Sequence, residues 1–252
     1  MMFHSSRQSL MTAVGYWLSA GGFVAMALWL TQAVAAEPTA AQLMQAGHDG
    51  RAAWHAFPGF EAKLTAATNG RSVSGHVTVA ADGKLKLDLS NSEGFEWITR
   101  TLDSLVGHRL ADSDANLNVE FADDDATHPM GRLIRSKDPA EKSQWRVRGD
   151  VMTEVHRFTE KTHFVISVSD VLRTPDGKHL PQDFAVTTWD KATGDLISSR
   201  QVHTEWKFVD GVAVPSLWWA AINTGRETRS TQRLELSEPR LLARTATTAV
   251  SR

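Results

Sequence analysis

The sequence predicts an α+β fold: one large, curved antiparallel sheet, a half-barrel, with two or three helices packed on one face. Three observations lead there. Apolar and polar residues alternate on both sides of Asn69-Gly70, the pair favoured in two-residue hairpin turns. Most later strand-like runs are separated only by short turn sequences such as "KDPAE", "RGD" and "KATGD", too short for the crossovers that parallel strands need. Near Thr39–Trp54 and Phe95–Leu105 the apolar spacing switches to that of a helix.

The first 36 residues differ from the rest. Arg7 is their only charged side chain, and the apolar stretch "GGFVAMALWLTQAVAA" ends in small residues with Ala33-Val34-Ala35 at a peptidase-like spacing. Residues 1–36 therefore read as a signal peptide, cut after Ala35 or Ala36, and the protein is expected to be exported, periplasmic or secreted. The alternative is a retained anchor, because the uncharged run Gln8–Ala36 is long enough to span a bilayer. Membrane contact is expected only through that segment. Residues 37–242 are expected to form a single α+β domain, and residues 243–252 a disordered tail. A net charge of −2 is no electrostatic footprint for nucleic acid. With no cysteine the fold has no disulfide and must stand on its core.

Thr39 caps the expected first helix, with Leu43, Ala46, Gly47 and Trp54 roughly on one face, and "FPGF" at Phe57–Phe60 breaks it. Pairing outward from Asn69-Gly70 sets Thr68 opposite Arg71 and Phe60 opposite Val79. One face then carries Phe60, Ala62, Leu64 and Ala66 against Val79, Val77 and Val73, and the other is almost wholly polar. A three-residue loop, Ala81 to Gly83, keeps Val79 on Leu85 and Val77 on Leu87. A two-residue Asp82-Gly83 turn would put Val79 beside Lys86, so the longer loop is expected, with Gly83 left-handed. Phe95, Ile98, Leu102 and Leu105 then form an amphipathic stripe, with Asn91 or Ser92 as start and Gly107 as stop. Strands are expected at Leu117–Phe121, Gly131–Arg135, Gln144–Arg148, Val151–Arg157, His163–Val168, Asp183–Trp189, Leu196–Val209, Val212–Ile222 and Thr231–Leu236.

The hairpin at Asp210-Gly211 decides the reading of two adjacent tryptophans. Unbroken pairing sets Trp206 on Pro215, Thr204 on Leu217 and Val202 on Trp219. Trp206, Phe208, Leu217 and Trp219 then share the inner face, and Trp218 is left half-covered beside His203. Those four inner residues, with Phe60 and Leu64 from the first hairpin, are the candidate ligand-binding set. They suit the wall of an apolar cavity or an ordinary filled core equally well.

The stretches "AAQLMQAGHDGRAAW", "FPGFEAKLTA", "SVSGHVTV", "LDSLVGHR", "RVRGDVMTEVHR" and "TWDKATGDLISSRQ", in that order, resemble domain-of-unknown-function family 3386. The resemblance runs from about Ala40 to Leu242 and implies a fold but no reaction. More coarsely, the order of elements and "FVDGVAVPSLWW" are similar to the half-barrels of periplasmic lipoprotein carriers. That likeness implies a curved sheet closed by helices over an apolar cavity, which the large inner aromatics here would partly plug.

The chemical motifs give little. There is no Gly-x-Ser-x-Gly, His-Glu-x-x-His, phosphate loop or dinucleotide fingerprint. "ADDDATHP", with Asp123, Asp124, Asp125 and His128, lacks a calcium-loop pattern and reads as a solvated acidic loop. "RGD" at Arg148–Asp150 reads as a turn. No catalytic residue, metal site or cofactor is expected, and the sequence favours a non-enzyme while leaving an enzyme open. Three functions compete: an exported protein binding a lipid or other apolar small molecule; a structural or partner-binding module with a filled core; and a hydrolase or metal protein with a site on the polar face. An open apolar concavity under the helices separates the first from the second.

Overall fold

A computed structural model describes residues 37–110, 115–225 and 228–243. The signal-peptide reading of residues 1–36 and almost all of the expected tail lie outside the described residues. Helix α1 spans Ala40–Asp49 and helix α2 Trp97–Gly107. Twelve strands follow in chain order. They are β1 (Phe60–Thr68), β2 (Arg71–Val79), β3 (Leu85–Leu89), β4 (Val119–Phe121), β5 (Arg132–Ser136), β6 (Gln144–Arg148), β7 (Val151–Phe158), β8 (Thr162–Arg173), β9 (His179–Asp190), β10 (Leu196–Val209), β11 (Val212–Thr224) and β12 (Thr228–Leu241). Every expected strand is present; β8, β9 and β12 run well beyond their expected ends.

All twelve form one antiparallel sheet in the order β3-β2-β1-β12-β11-β10-β9-β8-β7-β6-β5-β4. The first and last strands pair, and the sheet stays open because β3 and β4 are its two edges. Twelve strands spaced about 4.8 Å apart make a sheet about 50 Å wide. The chain between β3 and β4 therefore has to travel from one edge to the other, and it carries α2.

The first hairpin has the expected register, from Thr68 opposite Arg71 to Phe60 opposite Val79. Asn69 and Gly70 both have positive φ, 48° and 81°, as a type I′ turn requires. The next loop is the longer one. Val79 faces Leu85, Val77 faces Leu87, and Gly83 turns at φ 82° with Leu110 packed close above it.

Thr39 caps α1 through a reciprocal capping box with Gln42. The helix stops at Gly50, before the expected "FPGF" break, and buries Ala40, Met44 and Gly47. Of the expected stripe, Ile98 and Leu102 are fully buried in α2, Phe95 is buried just before its start, and Leu105 is half-buried. The start of the helix differs. Neither Asn91 nor Ser92 caps it; Glu96 occupies the N-cap without a side-chain bond, and Asn91 instead accepts from the Glu93 amide at 3.0 Å.

The buried apolar residues fall into two clusters. One joins Trp97, Ile98, Leu102 and Val106 of α2 to β1, β2, β10, β11 and β12, with Phe60, Leu64, Val77, Val202, Trp218 and Leu234 among its members. The other joins Ala40 and Met44 of α1 to Val119, Ile134, Trp145 and Val147 of β4, β5 and β6. No residue of β8 belongs to either, and β9 contributes only the partly buried Phe184. A helix is about 10 Å across, so two of them cover less than half of a sheet this wide.

The unbroken pairing expected for the β10–β11 hairpin does not hold, and the two tryptophans exchange roles. Pairing runs regularly from Val209–Val212 to Trp206–Pro215, and then Glu205 pairs with Leu217, leaving Ser216 as an extra residue. Thr204 therefore faces Trp218, and His203 faces Trp219. Trp218 is buried at 4% exposure and Trp219 is exposed at 37%. The cause is Pro215. It has no N–H to continue the ladder, so strand prolines sit at edges and bulges. The same holds elsewhere: the β8–β9 register shifts next to Pro181, and the β1–β12 register shifts across Pro239.

Candidate functional site

Between the two core clusters lies a cavity of about 460 Å³, within the range of small-molecule sites. From α2 it takes Trp97, Thr101 and Leu105; from the sheet it takes Met152 and Val155 of β7, Ile166 and Val168 of β8, Phe184 and Val186 of β9, Val202, Thr204 and Trp206 of β10, and Trp218 of β11. Gln232 of β12 lines it too, although β12 and β7 are five strand spacings, about 24 Å, apart in the sheet. Only a curved sheet brings both to one cavity.

The position of the cavity follows from the fold. Strands β8 and β9 have apolar inward residues, Ile166, Val168, Phe184 and Val186, of which only Phe184 packs against a helix cluster. Trp218, turned inward by the bulge, stacks at a tilt on Trp97 with ring centres 5.8 Å apart and forms the wall nearest α2.

Its polar lining has one sign. Arg51, Arg100, Arg109 and Arg200, with His108 and His179, line the cavity, and no Asp or Glu does. Arg109 is buried; its Nη1 donates to the Ala52 carbonyl at 2.9 Å and its guanidinium lies 5.8 Å from the Trp206 ring. Arg51 donates to the His48 carbonyl at 3.3 Å. Arg100 and Arg200 are solvent-exposed and mark the mouth. Although part of Arg200 reaches water, the groups packed around it, and then the like charge of Arg100, lower its guanidinium from the usual arginine value.

His179 is held by its backbone: its N–H donates to Gly50 and its carbonyl accepts from Ala52, at 2.8 and 2.9 Å. Burial pushes its imidazole down to about 4, so it is neutral near pH 7. Among the described residues, five buried side-chain polar atoms lack a hydrogen-bond partner: Trp97 Nε1, Arg157 Nη1, His163 Nε2, His179 Nδ1 and Thr204 Oγ1. Three of these, on Trp97, His179 and Thr204, belong to cavity-lining residues. Unpartnered buried polar groups are costly and uncommon in native proteins, so their gathering here calls for an explanation.

Of the residues expected from sequence to bind a ligand, Trp206 lines the cavity. Phe60 and Leu64 are fully buried in the cluster under α2. Phe208 and Trp219 are exposed, Leu217 is half-buried, and none of the three lines the cavity. The sequence reading assigned Leu105 to the buried stripe and passed over Trp97, Thr101, Ser104 and His108 beside it, and all five line the cavity. It also passed over Arg200 and Thr204, which share the face of Val202 by strand alternation.

The remaining motifs have structural uses. Asp123 accepts from Arg146 Nη1 at 2.9 Å and from the Leu133 amide, and it pairs with Arg132. Asp125 accepts from the amide and hydroxyl of Thr127. Gly149-Asp150 is a hairpin turn between Arg148 and Val151, and Asp150 pairs with both Nη atoms of Arg173, which holds its carboxyl below the usual carboxylate range. His156 and His163 stack 5.7 Å apart, and no cluster of three or more metal-ligating side chains occurs among the described residues.

The family described as "Protein of unknown function (DUF3386)" matches residues 35–242. The chain belongs to that family. The DUF3386 match contains every strand and helix described above. No curated protein matches the sequence. Among solved structures, a DUF1329 family protein from Desulfovibrio piger ATCC 29098 is similar, with 10% sequence identity over 84% of this chain and 93% of that one. Its TM-score of 0.27 is too low to carry an argument about this DUF3386 chain.

Proposed function

We propose that this DUF3386 protein is exported and binds a lipid or other apolar small molecule in the cavity beneath α2. One observation carries the reading: Ile166 and Val168 of β8 and Val186 of β9 meet a space of about 460 Å³ and belong to neither core cluster. Native interiors are close-packed, and a void of this size lined by Ile, Val, Phe and Trp forgoes contacts that a ligand restores. On this reading both helices sit on the concave face, each over one end, and leave a groove between them. The cluster memberships of α1 and α2 support that arrangement.

Export rests on the sequence before the domain. The apolar run and Ala33-Val34-Ala35 precede a family match that begins at residue 35. No described helix is long and apolar enough to cross a membrane.

The test is native mass spectrometry of the protein purified, without detergent, from its own compartment. The proposal expects an adduct of lipid mass that organic extraction removes. A bare mass that stays bare after incubation with a lipid extract contradicts it. The same spectra report whether residues 1–35 are retained.

A further inference from the structure

Resting on the apolar-ligand reading, we infer that the ligand is an anionic amphiphile: an acyl or alkyl chain on the apolar floor and a carboxylate or phosphate head bound between Arg100 and Arg200. A purely apolar ligand would leave the polar part of the lining without purpose. Four arginines and no carboxylate form one sign of field around a small volume, and a low-dielectric wall strengthens it.

Arg100 and Arg200 are the pair placed to hold the head. They come from different elements, α2 and β10, and reach the same mouth. Among the described residues neither side chain makes a hydrogen bond or an ion pair, whereas those of Arg109 and Arg51 already donate to carbonyls. Arg100 and Arg200 line the same cavity, where burial and then the like charge of Arg100 lower the Arg200 guanidinium. Glu96, one turn before Arg100, feels its charge, but that carboxylate is engaged by the Gly94 amide at 3.0 Å. An anion between the two arginines replaces a repulsion with two charge-assisted bonds, and the planar guanidinium suits both carboxylate and phosphate.

Three cavity-lining residues also carry unpartnered polar atoms within the wall. Trp97 Nε1 is a donor, Thr204 Oγ1 donates or accepts, and neutral His179 Nδ1 does one or the other by tautomer. All three atoms are covered by protein even toward the cavity, so a ligand oxygen meets them only after a side chain moves. A chain with one anionic end thus answers the apolar floor and the basic mouth together.

The test is displacement of the neutral dye N-phenylnaphthylamine from the full chain by palmitate, hexadecyl phosphate and hexadecanol, which share one chain length. The inference expects at least one anion to bind about tenfold or more tighter than the alcohol, the worth of a charge-assisted contact. Whichever anion binds tighter identifies the head. In the Arg100→Gln, Arg200→Gln double variant the gap between anion and alcohol should close. Arg200→Lys, which keeps the charge but loses the fork, should narrow it. Both arginines are exposed, so the variants are expected to fold, and circular dichroism checks this. If all three amphiphiles displace the dye equally, the head-group inference is overturned and the apolar-ligand reading stands. If the anions win but the gap survives in the double variant, the head lies elsewhere and the assignment to Arg100 and Arg200 is wrong. If the dye binds and none of the three displaces it, or the dye does not bind at all, the apolar-ligand reading fails as well.

Discussion

Replacing Trp218 by alanine should destabilise the protein far more than the same change at its neighbour Trp219. Trp218 is 4% exposed, packs on Trp97 and belongs to the cluster that joins α2 to the sheet. Truncating a buried tryptophan costs about 3–5 kcal/mol, from lost transfer energy and the space left behind. The site already borders a cavity, so little nearby can collapse into the gap, which argues for the upper half of that range. Trp219 projects from the other face at 37% exposure. Its loss should cost about 1 kcal/mol or less, near the range of surface changes. In a domain of this size each kcal/mol moves the midpoint by about 2–4 °C, so the two variants should melt roughly 5–15 °C apart. Urea denaturation followed by far-ultraviolet circular dichroism measures the difference at constant slope. Equal losses, or a larger loss at Trp219, would refute the bulge at Ser216 and with it the inward placement of Trp218.

Three further outcomes follow from the same structure. His179 is buried and held at about 4 against an ordinary 6.5, so the folded state binds fewer protons than the unfolded one between those values. The stability this contributes is complete above pH 6.5 and is lost as pH falls toward 4, by up to about 3 kcal/mol; in denaturant titrations His179→Gln should flatten that acid limb, and parallel curves would contradict it. Gly83→Ala should cost at least about 1 kcal/mol, because the turn needs φ 82° and the new Cβ would meet Leu110 Cδ1 at 2.5 Å; an unchanged melting point would show that the loop has another form. Asp123→Asn should cost about 2–3 kcal/mol by leaving Arg132 and Arg146 with one carboxylate fewer, and thermal melts that show no loss would reduce Asp123 to a solvated loop residue.

Local pattern carried the fold a long way. Strict alternation around Asn69-Gly70 allowed only one register that kept Phe60 and Leu64 inside, and the same logic chose the longer loop at Gly83. The boundaries of β8, β9 and β12 ran short because each continues past prolines or polar residues that a lone strand would not tolerate. Register was lost where a proline interrupts the ladder. Pro215 was present in the quoted hairpin, and weighing its missing N–H would have moved Trp218 inward. The cavity was less legible because it is a property of coverage. No single segment says that two short helices leave β8 and β9 unpacked, and Arg100, Arg200 and His179 meet there only after the sheet has curved. His179 opens β9, but "TPDGKHLP" reads on its own as a turn between strands.

The central claim is that the space between the helices takes up an apolar molecule. Titrating N-phenylnaphthylamine into the purified chain, and into a Val168→Trp variant that fills the cavity floor, tests it most directly. Saturable binding to the wild type that is lost in the folded variant is the predicted result. Binding of equal strength to both, or to neither, would contradict it.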